Sequence, residues 1–449
     1  MKVNDEIELY IEKFTSSAQG IAHHNGQVIF VKDACPKDKV LAKITNIRKN
    51  FANAEIMDII EPSPYRVVPF CPMYKHCGAC SMQFIDYDYQ LELKSQMVKD
   101  ALYSIGQIDF DVPKTEPSPT TKNYRHKIQY PVSQKKVSKR PIIGYYMPNS
   151  HFAVDIKHCP IQPEICDKII DFIRENAEKY EIEGYDEKSH SGLLRHVILR
   201  VSNKNSSLLL GLVINSKVIA ENLRRFADDV MQSFSDIKGV CVNFNTQKTN
   251  LILGAKTICI KGQDYVEDEL CSNIFKIGLD TFFQVNPQTA QNLFGYVKEY
   301  IKNNFTFPTV LDAYAGIASI GMCVSDLAKN VTSVELVKAS CEKAKEGLEL
   351  NKIKNLTVIN EDTAKFIKNT TEKFDIIITD PPKKGSTAEV LDGFLKCCKK
   401  EIIYVSCNPA TLARDLRYLI NKGCKLKSIK PFDMFCHTNH VETVAIIEV

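Results

Sequence analysis

Cys407 closes the run Ile402-Ile403-Tyr404-Val405-Ser406, and a loop beginning Asn408-Pro409 follows it. A cysteine at the carboxyl end of a buried strand stands where α/β folds bind ligands and present nucleophiles, and a thiolate is among the strongest nucleophiles a protein owns. The ordinary fate of a free cysteine is a small apolar place in a core, so its surroundings must decide. Asp380 stands in Thr379-Asp380-Pro381-Pro382-Lys383-Lys384-Gly385, where two prolines directly after a strand make a stiff corner that holds the carboxylate at a pocket rim. Gly316, in Asp312-Ala313-Tyr314-Ala315-Gly316-Ile317-Ala318, lets the backbone turn toward a ligand before a helix predicted to start near Ala318. Glu335 follows Asp312 by 23 residues, a spacing suited to ribose hydroxyls at the next strand tip. A loop without the full glycine fingerprint fits a ligand without pyrophosphate, of the S-adenosylmethionine kind. Enzymes that methylate exocyclic amines follow a related acidic-Pro-Pro corner with an aromatic residue. Lys383 stands there instead, and a cysteine one strand further on, which favours carbon methylation.

A second group of thiols, Cys71, Cys77 and Cys80, lies within ten residues, with Cys159 a plausible fourth after a gap of 78 residues. Four thiolates suit zinc or an iron–sulfur cluster, and spacing alone does not choose between them. Residues 121–158 carry eight basic side chains (Lys122, Arg125, Lys127, Lys135, Lys136, Lys139, Arg140, Lys157) against one acid, Asp155, with Tyr124, Tyr130, Tyr145 and Tyr146 interleaved. Cations neutralise phosphate and aromatic rings stack on unpaired bases, so this stretch is expected to face RNA.

These residues need elements to position them. At 449 residues, 44% apolar and 25% charged, the chain has the composition of a globular protein of about three domains. A net charge of +4 does not by itself announce a nucleic-acid partner. The N-terminus lacks the apolar core of a signal peptide and no apolar run approaches a membrane span, so the expectation is a reducing, cytoplasmic location with no membrane association. Residues 1–60 alternate short β-type runs (6–11, 28–31, 40–47, 54–60) with turns, which predicts a small closed barrel. Residues 61–272 mix helices predicted over 91–104, 165–180 and 218–234 with β-rich stretches whose fold is not assigned. From residue 273 onward, apolar strands at 309–313, 331–334, 357–359, 374–379 and 402–406 alternate with helices, the signature of a doubly wound parallel sheet. Two more β-rich stretches, 426–432 and 441–449, are joined too closely for a parallel crossover, so the last strand is predicted to be antiparallel. A mostly parallel sheet with a reversed final strand is the class I methyltransferase architecture.

With Asp380-Pro-Pro-Lys-Lys-Gly385, Val405-Ser-Cys-Asn-Pro-Ala-Thr-Leu-Ala-Arg-Asp-Leu416 and Asp433-Met-Phe-Cys-His-Thr-Asn-His-Val-Glu-Thr-Val444 in this order, the chain resembles the RNA uracil-C5 methyltransferases over nearly its whole length. Residues 1–60 also resemble the OB-like TRAM module, an RNA-binding barrel. On charge they would not suggest it, since eight basic residues there balance eight acidic ones. The resemblance implies Cys407 as nucleophile, Glu442 as the base, and Gln284, Tyr314, Glu335 and Asp380 as contacts to S-adenosylmethionine. It also implies a [4Fe-4S] cluster on Cys71, Cys77, Cys80 and Cys159 in the central domain, with His76 and His158 structural. Tyr124-Arg125-His126-Lys127 resembles the family's Tyr-Arg-Asn-Lys, with His126 for Asn. Ala315 and Ala318 depart from positions where relatives often carry Cys and Gly, neither of them catalytic. The implied substrate is a uridine in RNA, 23S rRNA before tRNA because the barrel-plus-cluster layout resembles the ribosomal members. No protein partner is implied.

Three other readings fit less well. RNA cytosine-C5 methyltransferases use Pro-Cys and Thr-Cys pairs, which are absent. Radical methyl-transfer enzymes space their first two cysteines by three residues, against five here. An inactive RNA-binding protein would have no need of Cys407, Glu442 and Asp380 together.

Overall fold

The computed structural model describes residues 1–135 and 140–449. Its N-terminal strands are β1 (Glu6–Tyr10), β2 (Lys13–Phe14), β3 (Gln19–His24), β4 (Gln27–Lys32), β5 (Lys39–Ile47) and β6 (Phe51–Glu61), paired in the order β1-β5-β6-β4-β3-β2. The Glu12 N–H donates to the Ile21 carbonyl and β1 returns against β3, which curls the sheet into the predicted barrel. Alternate residues point inward along β5, so Val40, Ala42 and Ile44 are buried with Leu9, Ile29 and Val31. The sequence reading passed over β2 and β3. β3 contains Gly20, where a Cβ would lie 2.7 Å from the Ile11 side chain and 2.9 Å from that of Ala34. A glycine inside a strand here marks two segments crossing closely and not a turn.

The helix predicted from residue 91 begins earlier, as α1 (Tyr87–Ala101), because the Asp86 side chain caps it by accepting from the Tyr89 N–H. Beyond it come β7 (Lys127–Gln134), β8 (Pro141–Ile143), α2 (Glu164–Asn176), β9 (Leu194–Val201), β10 (Leu208–Ile214), α3 (Glu221–Ser233), β11 (Ile237–Phe244) and β12 (Lys256–Gly262). These strands form a sheet in the order β12-β11-β10-β9-β7-β8, in which only β10 and β11 are parallel. Helices α2 and α3 bury Ile169, Ile173, Phe226 and Val230 against Leu199, Leu210 and Leu212 on one face. The other face packs on the hairpin β13 (Tyr265–Leu270) and β14 (Asn273–Gly278), so Leu209, Val213 and Cys241 join one continuous core with the C-terminal sheet.

The remaining elements alternate: α4 (Pro287–Asn304), β15 (Thr309–Ala313), α5 (Ser319–Val324), β16 (Asn330–Glu335), α6 (Lys338–Leu350), β17 (Leu356–Asn360), α7 (Thr363–Asn369), β18 (Phe374–Thr379), α8 (Ala388–Cys397), β19 (Cys398–Ser406), α9 (Pro409–Asn421), β20 (Lys425–Phe432) and β21 (Glu442–Glu448). The sheet order is β17-β16-β15-β18-β19-β21-β20, with β21 antiparallel to both of its neighbours, as predicted. Along β19, Ile403 and Val405 face α4 and α5 while Ile402 and Tyr404 face α8, α9 and α1. Burial on both faces is why these strands read as unbroken apolar runs. Among the described residues no helix is long and apolar enough to cross a membrane.

Candidate active site

Strand register assembles the site. Ala313 pairs with Val334 and Thr379, Thr379 with Tyr404, and Ser406 with Thr443. One residue further on, Tyr314, Glu335 and Asp380 sit side by side on β15, β16 and β18, while on β19 the register sets Val405 level with Asp380, so Cys407 stands two residues beyond it, at the tip of β19 beside the start of β21. Because β21 runs backwards, its first residue lies at the edge where the others end, and Glu442 faces Cys407.

Each group is held and charged differently. Glu335 accepts from the Gly316 N–H at 2.9 Å and the Val337 N–H at 2.7 Å, so the carboxylate grips the glycine turn itself. Around that turn Tyr314, Gly316 and Ala318 all take left-handed backbone, with φ of 60°, 57° and 58°. For Ala318 this costs about 1–2 kcal/mol relative to glycine, offset by about 0.8 kcal/mol from its fully buried methyl. Alanine at 318 is thus held in a left-handed conformation at a small net cost. Buried Asp312 braces the start of α5 through the Gly321 N–H and Ser333 hydroxyl, and burial pushes its carboxyl up to about 7. Burial, and then Asp312, raise Asp380 to about 7 as well. Glu442, only 4% exposed, is raised well above the carboxylate range by burial and Asp380 and drawn back by Lys383. Cys407 is half-buried, and its thiol is pushed up to about 11 by burial, then Glu442 and Asp380, against the pull of Lys383. The edge is short of positive charge, and a cationic ligand beside Asp380 would relieve it.

A sequence profile of the family described as tRNA (uracil-5-)-methyltransferase matches residues 223–449, and one of the TRAM domain matches residues 1–57. The chain is 36% identical to a Clostridium tetani protein described as an uncharacterized RNA methyltransferase, across 100% of this chain and 97% of that one. The chain belongs to the tRNA (uracil-5-)-methyltransferase family. A similarly described protein of Gloeobacter violaceus is 35% identical over 98% of this chain and 95% of its own length. In fold, the chain matches the crystal structure of Pyrococcus abyssi tRNA (uracil-54, C5)-methyltransferase in complex with S-adenosyl-L-homocysteine, at TM-score 0.77 and 23% identity, covering 98% of this chain and 100% of that one. It is an RNA (uracil-5-)-methyltransferase with a TRAM barrel before its class I sheet.

Some family-implied residues lie away from the sheet edge. Gln284 precedes α4 and lines a narrow cleft with His126, Lys127, Arg200 and Phe283. Cys71, Cys77, Cys80 and Cys159 line a single cavity with Tyr74 and Gln83, so the distant fourth cysteine does join the first three. Burial raises all four thiols, Cys80 and Cys159 to about 12. Among the described residues no three His, Cys, Asp or Glu converge closely enough to hold one metal ion. The donor set that lines this cavity is all sulfur, a chemistry that zinc and an iron–sulfur cluster share. His158 bonds Asp167 at 2.8 Å, and Asp167 also accepts from the Cys159 N–H.

The expected RNA surface needs correction. Tyr124 and Tyr130 are 2% and 1% exposed, and their hydroxyls donate to the Cys436 carbonyl and to Gln162, so neither ring is free to stack on a base. Tyr130 falls on an inward position of β7 with Ile128 and Val132, a phase that composition does not reveal. Lys122 lies over the Phe70 ring and Arg125 over that of Tyr145, while Lys135 pairs with Asp155. Lys136 and Lys139 lie outside the described residues.

Sequence reading missed the clamp behind Asp380. The Asn408 side chain and Thr411 hydroxyl donate to the Lys383 carbonyl, Arg414 donates to the Lys384 and Ser386 carbonyls, and Asp415 accepts from the Ser386 N–H and Tyr404 hydroxyl. The available signal was their spacing, since positions 408, 411, 414 and 415 share one face of a helix.

Proposed function

We propose that the protein methylates C5 of a uridine in RNA through a covalent bond between Cys407 and C6 of the uracil. The observation that carries this is the register that sets Cys407 opposite Glu442 with Asp380 on the adjoining strand. Gln284, Tyr314, Glu335 and Asp380 hold S-adenosylmethionine, which when bound supplies an electrophilic methyl group on a positively charged sulfur. The Cys407 thiolate adds to C6, and the C5–C6 electron pair moves into an enolate that makes C5 nucleophilic. Once C5 carries its methyl group, Glu442 removes the C5 proton, the C5–C6 double bond re-forms and the thiolate leaves. A raised carboxyl pKa suits that step, because the ionised form of such a group holds a proton strongly once it takes one. A stacked or paired uracil cannot enter this edge, so an unpaired or extruded uridine is the substrate.

In the same reading, residues 1–60 and 61–272 hold the RNA, 273–449 perform the transfer in the cytoplasm, and the four thiols carry a [4Fe-4S] cluster. Large-subunit 23S rRNA is the preferred substrate, on the resemblance of the barrel-plus-cluster layout to ribosomal members. The family's printed description supports tRNA as the second reading.

Transcripts of both RNAs carrying 5-fluorouridine provide the test, since fluorine cannot leave as a proton does. The substrate RNA should form a stable adduct with the wild-type protein and none with Cys407→Ala, while Glu442→Gln should accumulate methylated adduct on ordinary RNA. Absence of any adduct on either RNA under conditions of methyl transfer would refute the covalent route.

A further inference from the structure

Between β20 and β21 the chain runs through the nine residues from Asp433 to Val441, and Glu442 follows at once. This segment is fastened from outside. The fully buried Asp433 carboxylate accepts from Lys94 Nζ at 2.5 Å and from the Tyr87 hydroxyl at 2.8 Å. Lys94, also without exposed side chain, donates to the Phe435 carbonyl at 3.0 Å. Further along, the Ser81 and Met82 N–H groups, directly after Cys80, both donate to the His437 carbonyl at 2.9 Å. Tyr124 donates to the Cys436 carbonyl at 3.0 Å, and the Asn439 side chain to the Ser16 carbonyl of the barrel at 2.6 Å.

A buried ion pair is a poor source of stability, because taking both charges out of water offsets their attraction. What it does supply is one geometry. Two charges and three hydrogen bonds converge here on the segment that leads into Glu442, and among the described residues the Lys94 ammonium bonds Asp433 and the Phe435 carbonyl.

We propose that Lys94 is a positioning residue: by holding Asp433 and the Phe435 carbonyl from α1, it sets the 433–441 segment so that Glu442 faces Cys407. The inference rests on the reading of Glu442 as the base. Lys94→Met alone would strand the Asp433 charge in the core and endanger folding, so the informative variant is the full-length chain carrying Lys94→Met and Asp433→Leu together. Removing both charges of such a pair is often neutral or stabilising.

That double variant, Glu442→Gln and the triple variant are compared with wild type on a transcript that wild type methylates. The double variant should keep its melting temperature and its KM for RNA. Its kcat should fall on the order of a hundredfold, the scale of a small misplacement of a reacting group, with methylated protein–RNA adduct accumulating on gels. The triple variant should turn over no more slowly than Glu442→Gln alone, since both changes act through one group. A folded double variant that turns over at the wild-type rate overturns the proposal, as does a loss that adds in full to that of Glu442→Gln. Should the double variant not fold, Lys94→Leu with Asp433→Asn, which also removes both charges and keeps the shape of Asp433 beside Tyr87, is read by the same criteria. If Glu442→Gln accumulates no adduct, the reading of Glu442 falls and the proposal with it.

Discussion

Cys407 lies between opposing influences, and its pH dependence follows from their balance. Burial, Glu442 and Asp380 raise the thiol to about 11 while Lys383 lowers it. Only the thiolate attacks, so below that value its fraction rises about tenfold per pH unit. The rate of adduct formation with 5-fluorouridine RNA should accordingly climb between about pH 7 and 9. Lys383→Ala removes the lowering influence, and the profile should move to higher pH. Because Lys383 is exposed and water screens its field, the loss near neutral pH should stay under about tenfold. Lys383→Arg keeps the charge and should keep the profile. An Ala variant with the wild-type profile would show that Lys383 does not act on the thiol.

At the scale of elements, the loop between β18 and α8 is locked by α9, and Gly385 is where the lock is tightest. Its φ is +73°, and a Cβ would fall 2.5 Å from the Asp415 carboxylate and 2.6 Å from the Arg414 guanidinium. Gly385→Ala should therefore destabilise the fold by about 1–3 kcal/mol, read from the denaturant midpoint, and reduce methyl transfer by shifting the Asp380 corner. Lys384→Ala, on the same loop but exposed, should change neither. Equal midpoints for wild type and Gly385→Ala would mean that the loop relaxes freely.

Across the whole molecule, modules distant in sequence share one interior. Helix α1, from the first quarter of the chain, buries Val98 against the same layer as α8 and α9. The thiol loop and barrel both fasten the segment before Glu442. Replacing Cys71 and Cys77 by serine should abolish iron and acid-labile sulfide in anaerobically purified protein. Stability should drop by more than about 4 kcal/mol, the scale of a lost metal site, with weaker RNA binding and methyl transfer reduced but measurable. Zinc in place of iron in the wild type, or full loss of chemistry in a stable variant, would contradict a structural cluster.

Local pattern was enough for much of this molecule. The strands over 309–313 and 374–379 match residue for residue, because a strand buried on both faces must be a continuous apolar run wherever it sits. The same reasoning placed Cys407, Asp380 and Glu335 at strand ends, and the short link between 426–432 and 441–449 predicted the antiparallel last strand. Glycine inside β3 and the inward phase of Tyr130 were not legible, since both depend on which segment packs opposite. Tertiary structure alone decided that Glu442, 35 residues beyond Cys407, faces it, that Cys159 closes the thiol cavity, and that Lys94 reaches Asp433. Periodicity and turn chemistry are properties of neighbours in the chain. Register, charge pairing and the sharing of a cavity are set by the packing of segments from 35 to 339 residues apart, whose free energy no local window contains.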